Sequence, residues 1–187
     1  MNQEDLLNAP LPERWSSRQR LKNTIIVKVV TRAFKVLRAI PIGYLYKSMR
    51  SLSKLAFMLA ASDRNRAIAQ MRQALNISET QARVLTRSMF EHLGKVGMEW
   101  IHKDTLLEEH PDLQLNDEHR VLFEEALAEE NGLVAITGHI GNWELLAQMV
   151  AKAGFPVVSV ARPTYDPRLT RWVDQMRSTQ GMKVLWR

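Results

Sequence analysis

One stretch restricts the fold more than any other: Leu133-Val134-Ala135-Ile136-Thr137-Gly138-His139-Ile140-Gly141-Asn142-Trp143-Glu144. Four consecutive apolar residues read as a strand and two glycines as a tight turn. Leu145-Leu146-Ala147-Gln148-Met149-Val150 reads as the helix that follows. Asn142 stands where its side chain can cap that helix, accepting from a first-turn amide. Glu144 falls within the first turn, facing the positive end of the helix dipole. His139 lies on the turn, five positions earlier. At this spacing imidazole and carboxylate can meet at hydrogen-bonding distance. The carboxylate would then fix the tautomer and stabilise the imidazolium formed when His139 takes a proton.

A histidine and a carboxylate five apart are common by chance, so the surroundings carry the argument. Gly138 and Gly141 permit positive φ or close approach to a ligand. Trp143 supplies a ring able to exclude water. A merely structural turn has no need of His, Asn, Trp and Glu together. His139 and Glu144 could also begin a metal site, but no further ligands cluster near them, so no metal is expected.

The α/β pattern extends to both sides of this unit. Pro111 begins it, and Leu113 and Leu115 alternate with polar residues as a short strand. Residues 117–130 form an acidic helix closed by Asn131-Gly132. Pro156 to Val160 is a buried-looking strand rich in β-branched residues. Asp166 and Pro167 then serve as cap and first residue of a helix reaching about Thr179. Gly181 stops it, and Lys183 to Trp186 is the next strand. Alternating strands and helices predict a parallel-type sheet flanked by helices.

The N-terminal part is helical and basic. Residues 1–16, with Pro10 and Pro12, form a loose leader. Residues 1–60 carry eleven basic side chains against three acidic, a net +8, while the remainder is at −2. From Ser17 to Ile40, Ile26, Val29, Val30, Ala33, Val36, Leu37 and Ile40 recur at helical steps, with Lys28, Arg32, Lys35 and Arg38 on the other face. Such a basic amphipathic helix suits an anionic membrane surface, and residues 17–61 read as a membrane-facing helical region. The alternative is a surface helix packed on its own domain. Nucleic acid is not expected, since no binding module accompanies the basic stripe. Pro41 and Gly43 end the helix, and a mainly apolar helix spans Ser51 to Ala61. Two more follow at Asp63–Leu75 and Ser78–His102, the second opening on a capping box of Ser78 and Gln81. Along it Val84, Leu85, Ser88, Met89, His92, Val96 and Trp100 form a stripe, with His92 a core or edge residue. His102, His110 and His119 stand in polar surroundings.

Several chemistries are excluded. The chain has no cysteine, hence no disulfide or thiol nucleophile. The first twenty residues do not read as a secretory signal, and no apolar run reaches about 18 residues. No phosphate-binding glycine loop, Gly-x-Ser-x-Gly elbow or zinc-binding His-Glu-x-x-His is present. Ser159 lies mid-strand, a poor place for a nucleophile. A histidine–carboxylate pair without a protein nucleophile points to direct activation of a substrate hydroxyl. Arg162, just after a strand end where α/β sheets place binding crevices, could hold a phosphate or a developing oxyanion. A surface arginine before a proline is the alternative.

Gly138-His139-Ile140-Gly141-Asn142-Trp143-Glu144 resembles the first motif of the bacterial lipid A biosynthesis acyltransferases. These are the lauroyl and myristoyl transferases, within the wider glycerolipid-acyltransferase-like group with a His, four residues, then Asp or Glu. Ala161-Arg162-Pro163, Asp166-Pro167-Arg168-Leu169, Arg177 and Gly181 resemble the next block, with Asp166 where an Asn is usual. Arg64-Asn65-Arg66, Ala69 and Asn76 are similar to the family's helical signature. The resemblance implies transfer of a fatty acyl group to a hydroxyl of a lipid A-type glycolipid precursor. The donor is an acyl-carrier thioester, acyl carrier protein or coenzyme A, with no further cofactor. His139 and Glu144 would be catalytic and Arg162, Asn142 and Gly141 substrate-binding. The implied location is the cytoplasmic face of the inner membrane, peripheral or monotopic. Family members are about twice as long after the motif. Residues 62–187 are therefore expected to be the N-terminal part of the acyltransferase domain, its C-terminal half missing. The alternative is a catalytically incomplete, membrane-binding fragment.

Overall fold

The computed structural model describes residues 10–110 and 113–187. The start of the leader and Pro111 lie outside the described residues. These residues form eight helices and two strands, divided between two compact units. One takes the chain up to Val36 and again from Lys103; the other is Leu37–His102.

The second unit is three helices: α2 (Ile42–Leu59), α3 (Ala61–Leu75) and α4 (Glu79–Ile101). Leu45, Met49 and Ser53 recur every four residues on the buried face of α2. Met49 and Ser53 meet α4 at Gly94, where a Cβ would lie 2.5 Å from the Met49 sulfur. A side chain there would have to displace Met49, so glycine suits this close helix approach. Phe57 and Phe90 pack edge to face at 5.5 Å. Asn76 ends α3 in the left-handed conformation, φ 51°, which asparagine tolerates better than most residues. The expected capping box of Ser78 and Gln81 opens α4. Tyr46 donates to Glu99 at 2.8 Å, and burial followed by that carboxylate pushes its phenol above the usual range.

Three expectations fail in this unit. Gly43 does not end a helix but sits in the first turn of α2, because Pro41 precedes the helix and cannot disrupt its interior hydrogen bonds. On α4 the buried residues are Ala82, Thr86, Val96 and Ile101, while Val84, Leu85 and His92 are exposed. Of the expected stripe only Val96 is buried, while Ala82 and Thr86, outside the stripe, are buried with it. His102 is buried, its Nε2 3.1 Å from the Leu37 carbonyl oxygen, not in polar surroundings.

The first unit holds most of α1 (Ser17–Ala39), with α5 (Lys103–Glu109), α6 (Asp117–Ala128), α7 (Trp143–Lys152), β1 (Val158–Ala161), α8 (Pro167–Ser178) and β2 (Lys183–Trp186). The strands pair in parallel with Val158 opposite Lys183 and Ala161 opposite Trp186, and α8 forms the crossover. Asp166 caps α8 and Pro167 starts it, as their chemistry predicts. Phe34 of α1 meets Trp172 of α8 edge to face at 4.9 Å. Beneath them Arg168, 1% exposed, is bound through Nε and NH2 to Asp166 at 3.0 and 2.8 Å and through NH1 to Thr24 of α1 at 3.0 Å. An ion pair this deep needs all its hydrogen bonds satisfied.

Helix α1 buries Asn23, Val27 and Thr31, with the Thr31 hydroxyl donating to the Val27 carbonyl at 2.8 Å. Ile26, Val29, Val30, Ala33 and Val36, the expected apolar face, are exposed together with Leu21 and Ile25. No helix among the described residues is long and apolar enough to cross a membrane.

The sheet is smaller than the apolar runs suggest. Residues 133–137 form no strand, and Val134 and Ile136 are 87% and 95% exposed. Leu113 and Leu115 form none either. Apolar composition makes a strand possible, but only a neighbouring ladder makes it one. The strand after α7 begins at Val158, not Pro156, which has no N–H to donate. It is also not buried on both faces: Val158, Val160 and, opposite Val160, Leu185 are exposed.

Candidate active site

The turn before α7 is built as its chemistry requires. Gly141 has φ 59°, a conformation costly for side-chain-bearing residues. The Asn142 Oδ1 accepts from the Leu145 amide at 3.0 Å, capping α7. One residue into the helix, the Trp143 ring lies 4.5 Å from the His139 ring at 65°. The imidazole is otherwise exposed on the turn.

Glu144 stands in the first turn of α7, and its carboxylate is held by Arg177 from α8. Arg177 Nε donates to Oε2 at 3.0 Å, and NH2 donates to Oε1. The two side chains are 17% and 18% exposed. A two-pronged guanidinium–carboxylate fork fixes orientation as well as charge. Gln148, one turn along α7 and fully buried, donates from Nε2 to the Arg177 carbonyl at 3.1 Å. The end of α8 is thus tied to α7 through both the side chain and the backbone of Arg177.

The site residues are therefore brought together only in part. Asn142, Gly141, His139 and Glu144 share one turn, yet no hydrogen bond joins His139 to Glu144. The carboxylate that spacing assigned to the imidazole is engaged by Arg177. Arg162 is exposed one residue beyond β1 and has no partner among the described residues. No cluster of three or more metal-ligating side chains occurs among the described residues.

Sequence reasoning gave no role to Arg177 or Gln148. Both are distant along the chain from the residues they hold, so nothing local announces the pairing. The one signal was that Arg177 belongs to the same ordered series as Arg162 and Asp166.

A model of the family described as bacterial lipid A biosynthesis acyltransferase matches residues 14–187. No curated protein and no solved structure matches the chain.

Proposed function

The chain belongs to the bacterial lipid A biosynthesis acyltransferase family, and from that premise we propose a specific reaction and division of labour. A fatty acyl group passes from an acyl-carrier thioester, carried by acyl carrier protein or coenzyme A, to a hydroxyl of a lipid A-type glycolipid precursor. His139 takes the hydroxyl proton as the oxygen attacks the thioester carbonyl carbon. The tetrahedral intermediate collapses with cleavage of the carbon–sulfur bond. The departing thiolate receives the proton from the imidazolium, leaving an ester and a free thiol. The observation that carries this reading is the family match across 14–187, with an exposed imidazole at the turn leading into α7.

Glu144 orients His139 and stabilises its charged form in this mechanism. Because the Arg177 fork holds Glu144 on α7, the movement that closes the pair is assigned to the exposed 133–141 segment. Arg162, unengaged at the end of β1, meets a phosphate or the oxyanion of the intermediate. Gly141 and Asn142 shape the turn so that backbone can approach the substrate.

The proposed location is the cytoplasmic face of the inner membrane. Leu21, Ile25, Val29 and Val36 are exposed along α1, with Arg18, Lys22, Lys28 and Arg32 beside them. Each cation near an anionic surface contributes about 1 kcal/mol. A second reading, membrane binding without turnover, is favoured by the unpaired state of residues 133–137.

A transfer assay on purified protein separates the two readings. His139→Ala should lower turnover by a factor of roughly 10² to 10⁴. Glu144→Gln should fall nearly as far with donor binding retained, and the double variant should cost little more than either alone. Membrane binding with no turnover in the unmodified chain sinks the catalytic reading. Near-full turnover of Glu144→Gln sinks the pair.

A further inference from the structure

Two side chains of α7 grip a single residue of α8. Glu144 and Gln148 stand four positions apart, so they share one face of their helix. Glu144 takes the Arg177 guanidinium, and Gln148 Nε2 donates to the Arg177 carbonyl at 3.1 Å. That second bond also settles the orientation of the amide, because a carbonyl can only accept. Nε2 lies 3.6 Å from the Met182 sulfur as well. Gln148 Oε1 is left buried, with no hydrogen-bond partner among the described residues.

Packing does not ask for glutamine here. Gln148 is fully buried, and a methionine of similar length would fill its place without burying an amide oxygen that bonds nothing. Nor is the bond needed to hold α8. Lys103 of α5, 2% exposed, donates to the Thr179 hydroxyl at 2.5 Å, and that hydroxyl donates to the Met176 carbonyl at 3.1 Å. The Trp186 indole donates to Asp174 Oδ1 at 3.1 Å. Both anchors fix α8 through groups other than Arg177 and Glu144. Gln148, unlike them, acts on the residue that orients the carboxylate.

An arginine side chain is long and rotatable, so a guanidinium fork by itself tolerates movement of the backbone that carries it. Fixing the Arg177 carbonyl to the same helix face removes that freedom. The local rule that buried polar atoms are paired is broken at the Gln148 oxygen, as happens where geometry matters more than stability.

We propose that Gln148 is a positioning residue for acyl transfer. By holding the Arg177 backbone it fixes the guanidinium fork, and the fork fixes Glu144 where His139 must meet it. This rests on the acyl-transfer reading, and Gln148 itself touches no reacting atom.

The test is Gln148→Met in the full chain, read in two ways. Nuclear magnetic resonance of the Arg177 Nε–H needs no turnover, and its exchange with solvent should quicken by about tenfold as the fork opens more often. In the transfer assay kcat should fall by roughly ten- to a hundredfold, the effect of a small misplacement, with KM little changed. The melting temperature should hold within about 4 °C. In a Glu144→Gln background the methionine substitution should add little, because it acts through that carboxylate. Losses that multiply would show Gln148 acting by another route and overturn the proposal, as would unchanged exchange or unchanged kcat. Gln148→Asn, one methylene too short for the bond, repeats the measurements if the methionine variant does not fold. Failure of both to fold would make Gln148 a stability residue and equally overturn the proposal. No transfer by the unmodified chain sinks the acyl-transfer reading instead, and the exchange rate then reports separately whether Gln148 holds the fork.

Discussion

Residues 133–152 and 158–178 are two versions of one design, an apolar stretch, a short turn and a capped helix, and they have different fates. In the second, Val158–Ala161 pairs with Lys183–Trp186, and the capping Asp166 is also half of a buried ion pair with Arg168. In the first, Asn142 caps α7 equally well, but residues 133–137 pair with no strand among the described residues and Ile136 is 95% exposed. The caps agree because a cap spans three residues. The strands disagree because pairing depends on a partner elsewhere in the chain. Their charged residues differ in the same way. Arg168 reaches back two positions to its own cap, while Glu144 is held by Arg177 from a different helix.

The largest effect should come from the ion pair of the 158–178 stretch. Arg168→Met leaves the Asp166 carboxylate buried without its counter-charge, and denaturant unfolding should show a loss of about 3–5 kcal/mol. A loss near zero would put the pair in the class of surface ion pairs and erase the contrast between the two turns.

A smaller effect is expected at the cap of the first. Asn142→Ala removes the acceptor for the Leu145 amide and should cost about 1 kcal/mol. Asn142→Asp should restore most of it. Equal stability of the alanine variant would mean that α7 is held only by its packing on α8.

The smallest effect is the most discriminating. Ile136→Ser should change stability by less than about 0.5 kcal/mol, and the amides of 133–137 should exchange rapidly with solvent. A cost of about 2–5 kcal/mol, typical of truncating a core side chain, would show this stretch paired and buried in solution. The two stretches would then be alike after all.

What was legible from sequence divides along the same line. Helix ends were local facts: Ser78 with Gln81, Asn142, Asp166 with Pro167, and the positive-φ glycines 141, 154 and 181 stand where their chemistry predicts. The parallel pair β1–β2 followed from its β-branched residues and the helix between them. Local sequence also put His139, Asn142 and Glu144 on one turn.

Which faces are covered could not be read this way. The periodicity of α4 marked Val84, Leu85, His92 and Val96, yet of these only Val96 is buried, beside Ala82, Thr86 and Ile101. A helix turns inward the face that fits its neighbour, and close approach selects small side chains over large ones. The partner of Glu144 was hidden for a related reason. Spacing along a chain limits which groups can meet, but a carboxylate binds whichever cation packing delivers, and here the crossover helix α8 carries Arg177 to it. Sequence alone determined caps, turns and chemical types within a few residues of one another. Tertiary structure decided pairing, facing and charge partnership, because each depends on a group that sequence places far away and only folding brings within 3 Å.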